Sequence, residues 1–165
     1  MISIFRINDI IDLPVIDSTS AQRLCAIKDV IIDMRKNSIY ALVCKERMFG
    51  RSLEAVPFKS VEAISQNGIW AGGRTIQINS KNIFVKQRYF QSYQNILGKL
   101  VQGSGGEELG IIRDILFDTN TGIIRAYELS EGYLDDFFRG RRIIELDSAS
   151  LKEYDAQCLF SGKQQ

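Results

Sequence analysis

The sequence predicts an all-β protein with one or two short helices, arranged as two tandem small β-barrels. Three observations carry the prediction. Short runs dense in Val, Ile, Phe and Tyr are punctuated by turn residues, with only 2 prolines in 165 residues. No segment keeps a helical period for more than about two turns. The chain also repeats itself at an offset of 85 residues.

The repeat is read by sliding the chain along itself. Between Ile11–Val43 and Ile96–Glu128 seven positions are identical: Ile11/Ile96, Leu24/Leu109, Ile27/Ile112, Asp29/Asp114, Asp33/Asp118, Ile39/Ile124 and Ala41/Ala126. Lys28/Arg113, Val30/Ile115, Ile31/Leu116 and Ile32/Phe117 exchange like for like. The match then slips by about three residues, so the second copy carries a small insertion after Ser130. Two copies with so long a period are two small homologous domains rather than a solenoid. The division is expected at 1–88 and 89–165. Domains this small bury little surface alone, so the two are expected to pack together.

In the first copy, "AIKDVIIDMRKNSI" reads as a long strand, a turn and a return strand. "AVPFKSVEAI" follows as a strand and a short helical turn. The link "KQRYFQSYQ" (Lys86–Gln94) lacks Gly and Pro and is expected to be a short ordered connection. In the second copy, "KLVQG" is a short strand, "SGGEE" a turn, "LGIIRDILFD" a long strand, "TNTG" a turn, "IIRAYELS" the return and "RRIIEL" a further strand. Along the long strand, Leu109, Ile111, Arg113, Ile115 and Phe117 form the more apolar face and are expected to point inward. The other face, with Gly110, Ile112, Asp114, Leu116 and Asp118, also carries apolar residues, as in the bent strands of small closed barrels.

The repeated aspartates raise the question of chemistry against architecture. Asp33 and Asp118 open the two turns, where a carboxylate can accept from nearby backbone amides. Asn37 and Gly122 close them, and Asn and Gly best tolerate positive φ. These four residues are read as turn formers. Asp29 and Asp114 lie within strands beside Lys28 and Arg113, where a backbone or ion-pair role is weighed against a ligand site.

Composition narrows the function. The chain has no histidine, which removes the commonest general acid or base at neutral pH and any Ser-His-Asp or Cys-His site within one chain. Cys25, Cys44 and Cys158 form no CxxC pair and are expected to be small buried hydrophobes in a reducing compartment. No metal and no cofactor are expected. "GSGG" (Gly103–Gly106) runs into Glu107 and Glu108 rather than Lys and a helix, so it is no phosphate loop. No apolar run approaches the ~20 residues of a membrane span. The opening "MISIFRINDII" holds Arg6, Asn8 and Asp9 where a signal peptide stays apolar, so cytoplasmic residence is expected.

The residues then resemble a family. "LGKLVQGSGGEELGIIRDILFDTNTGIIRAYEL" is similar to the PRC-barrel pattern, and "AVPFKSV" with Pro57 resembles its later strand. The first copy departs from it, with Cys25 where the second has Gly110 and Asn37 where the second has Gly122. "SEGYLDDFFRGRRII" is similar to a stretch in two-barrel bacterial proteins of unknown function. The resemblance covers nearly the whole chain, twice. It implies barrels of five or six strands that serve as adaptor and assembly modules, not enzymes. The family includes the C-terminal domain of the ribosome maturation factor RimM and the cytoplasmic domain of a photosynthetic reaction-centre subunit.

A non-enzymatic module binding another protein is therefore the leading expectation. The candidate partner surface is the insertion Gly132–Arg141, where Tyr133, Leu134, Phe137 and Phe138 make one apolar stripe of a short helix. Met48 and Phe49 are its first-copy counterpart. The competing reading makes that helix a cap on its own barrel. Charge supports a second hypothesis. Residues 1–88 hold 13 Lys and Arg against 8 Asp and Glu, a net of +5, while residues 89–165 hold 8 against 12, a net of −4. A basic half fits RNA or ribosome contact; it equally fits charge-complementary contact between the halves or in a homo-oligomer. An enzyme working through Asp135/Asp136 or Glu107/Glu108 ranks below these, as does assembly of a photosynthetic or membrane complex.

Overall fold

The structure is a computed structural model, and it describes residues 3–47, 52–86, 89–102, 106–130 and 141–145. Its described regular structure is mostly strand, grouped in three sheets. In the first copy, β4 (Asp29–Asp33) pairs antiparallel with β5 (Ser38–Arg47), β5 with β6 (Ser52–Pro57), and β6 with β9 (Ile76–Asn79). A smaller sheet beside it joins β3 (Arg23–Ala26), β2 (Pro14–Asp17), β8 (Gly68–Ala71) and β7 (Val61–Ser65) in that order. In the second copy, β12 (Glu108–Asp118) pairs with β11 (Leu100–Gln102) and β13 (Ile124–Ser130), and β13 with β14 (Arg142–Glu145).

Each of the two larger sheets is completed by a strand from the other half. Strand β1 (Ile4–Arg6) pairs with β12, setting Ile4 against Asp118 and Arg6 against Leu116. Strand β10 (Phe90–Ser92) pairs with β4, setting Phe90 against Asp33 and Ser92 against Ile31. Asp33 and Asp118 are repeat equivalents, so the exchange is reciprocal and keeps register. Each exchanged strand runs into a one-turn helix, α1 (Ile7–Ile10) and α2 (Tyr93–Ile96). The connection expected at Lys86–Gln94 therefore contains a structural strand and the start of a helix. Its apolar alternation is too short to stand out in sequence, and a partner strand 57 positions away, Asp33 for Phe90, stabilises it.

A single core crosses the boundary between the copies. Val30, Ile32, Leu42, Val56 and Phe58 of the first pack in one buried cluster with Ile112, Ile115, Phe117, Ile124, Tyr127 and Leu129 of the second. Phe58 and Phe117 meet edge to face with ring centroids 6.4 Å apart, a favoured aromatic geometry. A second cluster, including Ile31, Ala41, Val43, Leu53, Ala55, Ile78, Ile83 and Phe90, covers the opposite face of the first sheet. That sheet is buried on both sides, which explains its near-continuous apolar runs.

Two sequence expectations are corrected by local geometry. The segment "KSVEAI" is a single 3-10 turn, Phe58–Ser60, followed by strand β7, in which Val61 and Ile64 suit a half-buried pleat. Along β12 the inward face changes. Gly110, Ile112 and Asp114 are buried, and then Ile115 and Phe117, while Leu109, Ile111 and Arg113 are only half-buried. The register against β13 shifts between Ile112 and Asp114. Such a bulge inserts one residue and turns the following side chains to the other face.

The cysteine expectation is also corrected. Cys25 on β3 and Cys44 on β5 are joined by a disulfide with their Cα atoms 5.7 Å apart. The bond ties the small sheet to the larger one. Sequence spacing carried no sign of it because the two strands come together only through the fold. Cys158 lies outside the described residues.

Candidate functional site at the seam between the repeats

The two repeated turns meet each other. In the first, the buried Asp33 carboxylate accepts from the Arg35 and Lys36 amides at 3.0 and 3.2 Å. In the second, Asp118 accepts from the Asn120 amide at 2.9 Å and from Arg125 Nη2 at 3.2 Å. Burial works to raise the Asp118 carboxyl, but the Asn120 amide and Arg125 outweigh it and hold the group below its ordinary value. The turns close with positive φ at Asn37 (49°) and Gly122 (74°). Between them runs a two-way backbone clasp: the Ile39 amide donates to the Gly122 carbonyl and the Ile124 amide to the Asn37 carbonyl, both at 2.8 Å. Asn37 Nδ2 adds a bond to the Ile124 carbonyl at 3.0 Å.

The mid-strand aspartates reach across the same seam. Asp114 Oδ1 accepts from the Asn8 amide in the first turn of α1 at 3.3 Å, from the Ile115 amide at 2.8 Å and from Tyr93 OH at 2.9 Å. Asp29 Oδ1 accepts from the Gln94 amide in α2 at 3.3 Å and from the Val30 amide at 2.8 Å, and its Oδ2 accepts from the Ser92 hydroxyl. Each copy thus caps the one-turn helix that the other copy sends over. Burial raises the Asp114 carboxyl above its ordinary value, against the pull of those three donors. Burial likewise raises the Tyr93 hydroxyl, with the Asp114 charge adding to it. Beside them, buried Glu128 is held by Arg6 Nε at 2.7 Å and Arg141 Nη1 at 2.8 Å, so one of its two ion pairs also joins the halves. Burial alone would raise Glu128; the two guanidiniums bring it below the ordinary carboxylate value.

A cleft of about 530 Å³ opens on the first copy's side of the clasp. Its lining includes the first turn with Arg35 and Lys36, the start of β5 with Ile39 and Tyr40, the end of β6 with Pro57, Phe58 and Lys59, and Ile76, Phe90 and Thr121. Tyr40 and Ile76 are large apolar side chains left 43% and 38% exposed. Three cations line the cleft: Arg35, Lys36 and Lys59, all exposed. The one carboxylate there, Asp33, is buried and already accepts two turn amides. Among the described residues, neither Lys36 nor Lys59 has an ion-pair partner. A row of rings runs from Tyr40 and Phe90 of the lining to Tyr89 beside it. Tyr89 to Phe90 and Phe90 to Tyr40 are each 4.6 Å between centroids and tilted by 46–47°. Arg35 lies over the Tyr89 ring at 3.3 Å.

Four of the residues singled out from sequence, Asp33, Asn37, Asp118 and Gly122, therefore come together at the clasp. The expected partner surface, Tyr133, Leu134, Phe137, Phe138, Met48 and Phe49, lies outside the described residues, as do Asp135 and Asp136. Glu107 and Glu108 are exposed. Sequence reading passed over the cleft. Its signal lay in the places where the two copies differ: Arg35 and Lys36 stand where the second turn has Asn120 and Thr121, and Tyr40 where it has Arg125.

Comparison with known proteins agrees with this architecture. The family model described as the PRC-barrel domain matches the chain twice, over residues 3–82 and 90–156. An uncharacterised protein of Bacillus subtilis, YrrD, is 22% identical over 149 residues, spanning 90% of this chain and 83% of its own length. Among the described residues, no helix is long and apolar enough to cross a membrane.

Proposed function

The chain belongs to the PRC-barrel family, and from that premise we propose that it is a non-enzymatic binding and assembly module that takes a protein partner. The observation that carries the reading is the cleft beside the clasp, where exposed Tyr40 and Ile76 sit among three cations. A concave, largely apolar site with a few oriented polar groups is the common form of a binding site. The repeated carboxylates favour the same reading. Asp29, Asp33, Asp114, Asp118 and Glu128 are engaged in turns, helix caps and ion pairs that join the copies.

An affinity pull-down from the native host, with and without nuclease and at two salt concentrations, tests it. A protein retained after nuclease treatment is the expected result. The second reading, RNA or ribosome association, draws on the same cations and predicts capture that vanishes with nuclease and falls steeply with salt. The proposal includes cytoplasmic residence. The Cys25–Cys44 bond bears on this point, because disulfides are rare in that compartment. Thiol labelling of the chain trapped in host cytosol separates the cases: labelled Cys25 and Cys44 fit a cytoplasmic chain, and protected ones count against it.

A further inference from the structure

We infer that the cleft takes an acidic peptide segment of the partner protein, seating one aliphatic or aromatic side chain on the apolar floor and its flanking carboxylates against Arg35, Lys36 and Lys59. The inference rests on the binding-module reading and names what that module recognises. Charge is the first argument. The lining presents three exposed cations and a single carboxylate, which is buried and committed to its own turn. Arg35 Nε lies 3.7 Å from that carboxylate, but Lys36 and Lys59 have no ion-pair partner among the described residues, so an entering anion gains two unengaged cations and meets no competing exposed acid in the lining.

Ring geometry is the second argument, and it separates a peptide from a nucleic acid. Base stacking needs open aromatic faces. Here the rings are tilted against one another, and Arg35 already covers a face of Tyr89. Phe90 is buried between Tyr89 and Tyr40, leaving Tyr40 as the ring with substantial exposed surface. One exposed ring beside Ile76 and Pro57 makes a seat for a single apolar side chain. At about 530 Å³ the cleft has the size of a small-ligand site, enough for a short segment rather than a helix face.

The test is fluorescence polarisation with the full chain and three probes: a labelled EDFLDE hexapeptide, its neutral counterpart QNFLNQ, and a labelled eight-nucleotide oligo(U). The double variant Lys36→Glu/Lys59→Glu changes two exposed side chains and keeps Asp33 and the turn amides in place. The acidic peptide is expected to bind, to bind roughly tenfold more weakly to the double variant, and to lose affinity with its carboxylates. Preference for oligo(U), equal binding of the neutral peptide, or no binding of any probe overturns the inference. Circular dichroism of the variant shows that a loss is not unfolding, and Ile76→Ser repeats the test from the apolar side. If the pull-down partner is retained by the double variant, the cleft assignment fails while the binding-module reading stands.

Discussion

Two residues at equivalent positions solve the same backbone problem differently. Gly122 has φ +74°, and a Cβ built there lies 2.6 Å from Phe58 Cε1. Gly122→Ala therefore meets both a strained conformation and a buried ring, and urea melts should show a loss of about 2–3 kcal/mol. Asn37 tolerates φ +49° and also binds the Ile124 carbonyl. Asn37→Gly relaxes the backbone but gives up that bond, so a smaller loss, about 1 kcal/mol, is expected. Asp114 offers a test by pH. Its carboxyl is raised in the folded state, so the fold holds that proton more tightly than the unfolded chain. Its contribution falls as pH rises from the ordinary carboxylate range through the raised value. Asp118 and Glu128 are lowered, and their contribution runs the other way: present above the ordinary range and lost as pH falls below it. Asp114→Asn keeps an oxygen for all three donors and should flatten the first slope while leaving the fold intact. Asp114→Ala strands those donors and should cost about 3 kcal/mol. Glu128→Gln should weaken the acid-side loss. Chemical denaturation across pH 3 to 8 reads all three.

At the scale of elements, what matters is which strand completes which sheet. β1 contributes three residues, yet it covers the edge of β12 and leads into the helix that Asp114 caps. A strand so short is stable only in context, because its own backbone bonds cannot offset the entropy of ordering it. The disulfide acts between elements too. It closes a separation of 19 residues between β3 and β5, and the loop-closure argument assigns such a cross-link about 3 kcal/mol. Cys44→Ala, or reduction by dithiothreitol, should lower stability by up to that amount without unfolding the second copy, as followed by denaturant melts in oxidising and reducing buffer. Much at this scale was legible. The long strands, the turns between them and the return strands show as alternating apolar runs with turn residues at their ends. The 3-10 turn before β7, the bulge in β12 and the strand within 86–94 were not legible. Each is decided by pairing with another strand, the neighbouring β8 for the first, the neighbouring β13 for the second and the distant β4 for the third.

At the scale of the molecule, the copies are interlocked rather than merely adjacent. Each sends a strand and a helical turn to the other, they share one core, and their turns clasp by paired backbone bonds. Residues 1–88 and 89–165 expressed separately should each lack a completing strand and expose apolar surface, giving low thermal cooperativity and dye binding. Expressed together, they should associate one to one and recover a single unfolding transition, measured by size exclusion and circular dichroism. Two halves that fold independently, with transitions of their own, would show that the exchange is dispensable. The interlocking also bears on binding. The cleft wall includes Phe90 from the exchanged strand and Thr121 from the second turn, so loosening either copy should weaken peptide binding along with stability.

The amino-acid sequence by itself determined the repeat, the β character, the turn-forming roles of Asp33, Asn37, Asp118 and Gly122, and the family resemblance. These are local matters, set by alternation, by tolerance of positive φ and by the reach of a carboxylate to amides two or three residues on. Only the tertiary structure decided that Asp29 and Asp114 cap each other's repeats, that Cys25 meets Cys44, and that Arg35, Lys36, Lys59, Tyr40 and Ile76 border one cleft. The physical reason is the same in each case: these groups lie on separate elements, and their meeting depends on how those elements pair and pack, within the first copy for the disulfide and most of the cleft and across the two copies for Asp29 and Asp114, which no local pattern names.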